Sequence, residues 1–246
     1  MDADLYDQLW AIEQRHWWFQ ARRKIVWSLV RRYLGDAANR RLRICDLGCG
    51  TGGNLAALAD EHDVVGVEFS PQAREYAQRR LGDRVRPGSL PDGVDLPAES
   101  FDVVLLTDVL EHIEDDVRSA QTALRLLRPS GIVVATVPAY QWLYSEHDAR
   151  HHHFRRYGKR QFRALWSGGD VLLLSHYNAL LFPSAAALRL ANRLLPRRVA
   201  THGLEIPPAP INWMLNRVMA SEAGLLGRLP LPFGLSLVSV VRKLAI

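Results

Sequence analysis

The feature that most constrains this chain is Ile44-Cys45-Asp46-Leu47-Gly48-Cys49-Gly50-Thr51-Gly52-Gly53, where an apolar run passes through glycines into a helix. Glycines at such a passage let the backbone turn sharply and approach a ligand without a side-chain clash. Gly48, Gly50 and Gly52 spell G-x-G-x-G, while Gly48, Gly50 and Gly53 also spell the dinucleotide fingerprint G-x-G-x-x-G. The spelling alone therefore leaves two nucleotide ligands open.

The next elements narrow the fold. Apolar runs at Leu42–Leu47, Val64–Glu68, Val85–Gly88, Phe101–Thr107 and Gly131–Val137 read as strands. Helical patterns at Leu55–Glu61, after Ser70-Pro71, and over Asp115–Leu127 lie between them. Such alternation predicts a doubly wound α/β sheet with helices on both faces. Ahead of it, Leu5–Leu34 reads as helical. Behind it, Arg160–Trp166 is a helix, Val171–Tyr177 a sixth strand, Phe182–Leu195 and Ile211–Ala223 amphipathic helices, and Leu235–Leu244 a terminal strand. Four regions follow: an N-terminal helical lid (1–40), an α/β core (41–178), a helical insertion or cover (179–234) and the strand completing the sheet (235–246).

Two acids discriminate between the ligands. Glu68 ends the second strand, where a carboxylate accepts from ribose hydroxyls in either case. Asp46, two residues before the first glycine, would repel a pyrophosphate but attract an ammonium or sulfonium. It favours an amino-acid-bearing nucleoside over NAD.

In these residues the chain resembles the class I S-adenosylmethionine-dependent methyltransferases. The resemblance rests on Asp46 to Gly52, Val67-Glu68-Phe69-Ser70, Phe101-Asp102-Val103-Val104 leading to Asp108-Val109-Leu110-Glu111-His112, and Leu126-Leu127-Arg128-Pro129-Ser130-Gly131. It implies a seven-stranded sheet with an antiparallel last strand, and S-adenosyl-L-methionine across the carboxyl ends of the first strands. Gly48, Cys49, Gly50 and Gly52 would pass under its methionine part. Glu68 would hold the ribose, followed by Phe69. Ser89 and Leu90 would contact adenine, although many members carry an acid where Ser89 stands, and Thr107 would lie near the methyl group. The opening segment and Ser145–Tyr157 also resemble a bacterial subgroup with an aromatic N-terminal helix and a His/Arg-rich loop after the fifth strand.

Three segments point to the acceptor side. His16, Trp17 and Trp18 form part of a lid. Methyl transfer from a sulfonium needs alignment and exclusion of water, and a base when the acceptor is protonated. His112, His147 and His152 are the base candidates, with Asp148 to orient one of them, because an unshifted histidine titrates near neutrality. Arg155 and Arg156 offer forks for a carboxylate or phosphate, beside Tyr157. His147 and His151, or Asp148 and His152, would share helical faces, but nothing resembles H-E-x-x-H and no metal is expected.

Charge adds a partner class. The net +5 is uneven: from Arg150 to Arg198 ten cations face one acid, giving +9 there and −4 elsewhere. Such a field attracts anions. Arg189 and Arg193 fall opposite the apolar stripe of their helix, as on an anionic membrane or a substrate tunnel. The expected acceptor is small or lipid-linked and anionic, with loose contact to a membrane. Nucleic acid is not expected, because no N/D-P-P-Y/F-like tetrad or reader module is present. An NAD(P)-dependent oxidoreductase, a nucleic-acid methyltransferase and a non-catalytic cofactor-binding partner protein remain as alternatives. The acidic start, the absence of a long apolar run and only two cysteines point to a cytoplasmic chain, at most peripheral to the inner membrane face, and the piece around Trp213, Met214, Val218 and Met219 is compatible with a dimer surface, so a monomer or homodimer is expected.

Overall fold

The computed structural model describes residues 3–194 and 205–244, with side chains for those other than 3, 4, 147, 188–190 and 192–194. Seven strands form one sheet: β1 (Arg43–Leu47), β2 (Asp63–Glu68), β3 (Val85–Pro87), β4 (Phe101–Thr107), β5 (Leu127–Pro138), β6 (Gly169–Tyr177) and β7 (Ser236–Lys243), in the order β3-β2-β1-β4-β5-β7-β6. β7 runs antiparallel to both neighbours, and the other neighbouring pairs are parallel. The doubly wound sheet with its antiparallel last strand is thus present. Every residue of β4 is buried, which is why the central strands read as unbroken apolar runs rather than alternating ones.

Helices cover both faces. On one lie α1 (Ala3–Ile12), α2 (Trp17–Leu34), the single turn α3 (Gly53–Ala56), α4 (Pro71–Leu81) and, late in the chain, α9 (Ala209–Ser221). On the other lie α5 (Asp116–Leu126) and α7 (Lys159–Ala164), with the short α6 (Glu146–Arg150) near the strand ends and α8 (Phe182–Leu194) following β6. None of the described helices is long and apolar enough to cross a membrane.

Several expected elements change. The stretch Leu5–Leu34 is two helices, because the His16 ring nitrogen accepts from Trp18 N (3.2 Å) and starts a new helix there. α3 stops after one turn instead of running to Glu61, and β5 starts at Leu127.

The predicted N-terminal lid divides physically. α2 buries Ala21, Ile25, Leu29 and Val30 in the core, so it is a wall of the sheet packing rather than a cover. α9 is fastened to it: Trp17 N donates to Asn212 Oδ1 (2.9 Å), and Asn216 donates to Trp17 O (3.2 Å). Arg197 and Arg198, and the side chains of Arg189 and Arg193, lie outside the described residues, so the membrane-facing reading of that helix does too.

Candidate active site

The glycine turn leaves β1 with Gly48, Gly50 and Gly52 all at positive φ (73°, 56° and 84°), a conformation costly for other residues. Gly48 N and Cys49 N donate to Val67 O (2.8 and 3.1 Å), pinning the turn to the end of β2. A Cβ on Gly48 would meet Val109 Cγ2 at 2.8 Å, whereas one on Gly50 would meet no protein atom. Gly50 therefore presents bare backbone to the space above the sheet.

Glu68 closes this turn. Its two oxygens accept from Gly50 N and Ser70 N (both 2.8 Å), which aims the carboxylate across the turn, and burial raises its pKa. Asp46 differs from the expected floor. It is fully buried one layer beneath the lining, with Oδ2 accepting weakly from Asn54 (3.3 Å) and Oδ1 without a partner among the described residues. Burial pushes its pKa up to about 7, against the pull of Asn54 and Arg22. Asn54 also donates to Thr107 Oγ1 (2.9 Å), linking the glycine turn to the tip of β4.

A cavity of about 2340 Å³ opens over these strand ends. Its donor-side lining includes Gly48, Cys49, Gly50, Glu68, Phe69, Ser89, Leu90 and Thr107. Phe69 is exposed there, while the Cys49 thiol is buried and pushed well above its usual pKa, so it is a wall and not a nucleophile. Ser89 is held by backbone pairing with Gly93 (3.1 and 2.7 Å). Gly52 lies away from this lining, against Ala77 and Leu81 of α4.

Two residues given little or no weight in the sequence reading complete the donor side. Arg22 of α2 reaches under the site to pair with Asp108 just past β4, its guanidinium 4.5 Å from the Trp18 ring centroid. Its buried Nε has no partner among the described residues. Glu13 accepts from Thr51 of the glycine turn and pairs with Arg80 of α4, whose guanidinium lies 3.9 Å from the Trp10 ring centroid. This latch ties α1 over the turn. Glu13 had no legible signal, because its partners come from distant segments, whereas Arg22 stands in the aromatic and cationic run of the opening segment, where it could be expected to meet an anion.

The acceptor side departs further from expectation. Arg155 pairs with Asp116 (2.8 Å), and Arg156 Nε pairs with Asp148 (2.8 Å). Tyr157 is fully buried, its hydroxyl at Asp116 (2.8 Å) and Leu110 O (3.1 Å). All three brace the loop instead of presenting forks to an anion. Asp148 orients His153, a histidine outside the expected base candidates: its Oδ1 lies 2.9 Å from His153 Nδ1. The hydrogen bond with His153 and the charge and hydrogen bond of Arg156 hold its carboxyl well below the usual range although burial opposes them.

His112 lies on the cavity, but burial and the neighbouring His153 push its pKa down to about 3. It is neutral throughout the physiological range and too weak a base for the role expected of it. His152 reaches the lining at a positive φ of 57°. The His147 side chain lies outside the described residues. His16 serves as the α2 cap, and Trp17 and Trp18 line the cavity while packing on the core.

The donor side fits S-adenosyl-L-methionine. A bare backbone turn, a rim carboxylate, a buried acid with an orphan oxygen and an orphan guanidinium nitrogen match a nucleoside bearing an amino-acid zwitterion and a sulfonium. Comparison with known proteins agrees. Residues 45–135 match the model of a family described as a methyltransferase domain. A probable S-adenosylmethionine-dependent methyltransferase of Mycolicibacterium smegmatis is 26% identical over 129 residues, 52% of this chain and 48% of that protein. A ubiquinone biosynthesis O-methyltransferase of Azorhizobium caulinodans is 36% identical over 118 residues, 44% and 46% of the two chains. The chain thus spans about half the length of the curated relatives it matches. A putative methyltransferase solved with the Haloferax volcanii Trm112 activator superposes with a TM-score of 0.58 at 18% identity, covering 99% of this chain and 95% of that one. Sheet order and glycine turn are those of the class I methyltransferase fold, and residues 45–135 of its core match the methyltransferase-domain family model.

Proposed function

We propose that the chain transfers a methyl group from S-adenosyl-L-methionine to a small or lipid-linked acceptor by in-line displacement. The observation that carries this reading is the shape of the cavity. At about 2340 Å³ it is well above the ~300–1,000 Å³ of a pocket for one ligand, and its two ends differ in chemistry. One end has the glycine turn and Glu68. The other has Trp17, Trp18, Leu143 and Leu181 beside the histidine loop, walls suited to an acceptor with an apolar body.

The bound donor supplies an activated methyl, so the protein's task is alignment and exclusion of water. Glu68 would hold the ribose and the backbone at Gly50 the methionine part. Arg22 would face the donor's carboxylate, with Asp46 lending negative charge from beneath. Among the described residues, Arg150, exposed on the lining, is the cation left at the acceptor end for an anionic group once Arg155 and Arg156 are taken by Asp116 and Asp148. Loose attachment to an anionic membrane belongs to this proposal only as the route by which a lipid-linked acceptor would arrive.

The test is transfer itself. With methyl-labelled donor and fractionated metabolite and lipid extracts, label should pass to an organic-soluble or small polar product. Label passing only to added RNA or DNA would move the chain to the nucleic-acid alternative. No transfer, with the donor bound, would support a cofactor-binding partner protein.

A further inference from the structure

Beside the acceptor end lies a group of side chains that the methyl-transfer reading does not use. Glu111, in the 3₁₀ turn Leu110–His112 after β4, is only 1% exposed, and neither carboxylate oxygen has a hydrogen-bond partner among the described residues. Burial and the nearby Asp108 charge favour its protonated form, and a cation facing it would take the place of that proton. Two histidines face it. One ligand atom from each of Glu111, His112 and His153 lies within 4.8 Å of the others, and all three residues line the cavity. The His112 and His153 rings meet edge to face with centroids 4.6 Å apart.

The arrangement is braced from outside. Phe154 N donates to Glu111 O (2.8 Å), stitching the loop after β5 to the turn after β4 and so fixing the spacing of His153 from the other two. His153 Nδ1 faces Asp148 Oδ1 at 2.9 Å, which makes Nδ1 the donor and leaves Nε2 with its lone pair. Asp148 is itself fully buried and held by Arg156 Nε (2.8 Å), Ser145 N (2.9 Å) and Ser145 Oγ (3.1 Å). A carboxylate orienting a histidine through its far nitrogen is the outer shell that metal-binding histidines require.

We infer that Glu111, His112 and His153 form a binding site for one divalent transition-metal ion, zinc by the chemistry of its donors, with Asp148 as the positioning residue. Two imidazoles and one carboxylate suit borderline cations such as zinc or iron(II). Ligand atoms of tetrahedral zinc lie about 3.3 Å apart, given bonds of about 2.0–2.1 Å. Small rotations about the outer side-chain torsions would draw the three inward by about an ångström. The spacing of His147, Asp148, His151 and His152 in the sequence matches no metal motif. This set is assembled from two segments instead, and Asp148 serves it without being a ligand. An ion held there would turn its open positions toward the cavity, where an oxygen-bearing acceptor would complete its shell. That consequence rests on the proposed function, whereas ion uptake does not.

The test is therefore binding, with no methyl donor present. The full chain, stripped with a chelator, is titrated with Co²⁺ under optical absorption and with Zn²⁺ by calorimetry. One ion per chain is expected, with cobalt d–d bands that zinc abolishes. Glu111→Gln and His153→Ala should each weaken binding at least 100-fold, and Asp148→Asn by about 10–100-fold. Circular dichroism reports whether each variant folds. Should a variant fail to fold, X-ray absorption of the wild-type zinc complex decides, showing two imidazoles with a carboxylate in support and any other ligand set in refutation. No uptake at ~100 μM metal, or uptake unchanged in both folded ligand variants, would overturn the site.

Discussion

Asp46 supports a prediction in which stability and binding move in opposite directions. Its carboxyl lies fully buried, with one oxygen unpartnered and its pKa pushed up to about 7 from a usual 3.8. Burial dominates, Glu68 and Glu13 add repulsion, and Asn54 and Arg22 offset part of it. Between pH 4 and pH 7 the folded chain holds this proton more tightly than the unfolded chain does. The unfolding free energy therefore falls by up to about 1.4 kcal/mol per pH unit as pH rises through that window, and flattens above it. Asp46→Asn removes the ionisation and leaves an oxygen for the Asn54 amide. In the absence of ligand the variant should be more stable than wild type by about 2–4 kcal/mol at pH 8, or roughly 5–15 °C in melting midpoint for a chain of this size. The advantage should shrink by about 2–3 kcal/mol on going down from pH 7 to pH 5. Donor affinity should move the other way, falling ~10-fold at pH 8 as the negative charge beneath the cationic donor is lost. Urea unfolding across pH and calorimetry with S-adenosyl-L-methionine measure both. A variant that is less stable at pH 8, or that binds the donor as tightly as wild type, would refute the reasoning.

Other substitutions separate structure from binding. Gly50→Ala costs about 1–2 kcal/mol through its positive φ and sets a methyl into the space above the turn, so donor affinity should fall by more than the stability loss explains; calorimetry beside thermal melts shows this. Arg22→Met leaves Asp108 without its buried partner and should cost about 3–5 kcal/mol in urea unfolding, while adding Asp108→Asn should recover much of it. Arg155→Ala should lower stability by about 1–3 kcal/mol and leave donor affinity within about twofold, because Arg155 braces Asp116 and does not line the cavity. Loss of donor binding in that variant would return Arg155 to the site.

The sheet was legible because its strands and helices alternate in sequence and each carries a local signal. β4 reads as seven consecutive buried residues, and Ser70-Pro71 marks the start of α4. The donor site was legible in part, since Glu68 and the glycines lie at strand ends whose position follows from the sheet. The depth of Asp46 was not, because nothing in the local sequence says whether a residue faces a cavity or lies one layer under it. The acceptor side was least legible. Arg155 and Arg156 look like free forks until Asp116 and Asp148 are brought against them by the packing of the loop on the 3₁₀ turn. His153 was passed over among its neighbours for the same reason: only the fold decides which histidine meets Asp148.

The most direct measurement is a pair of calorimetric titrations of the purified chain, one with S-adenosyl-L-methionine and one with NAD. Saturable binding of the sulfonium nucleoside at one site per chain, lost in Glu68→Ala, with no heat from the dinucleotide, is the predicted result. Uptake of NAD with indifference to S-adenosyl-L-methionine would contradict it.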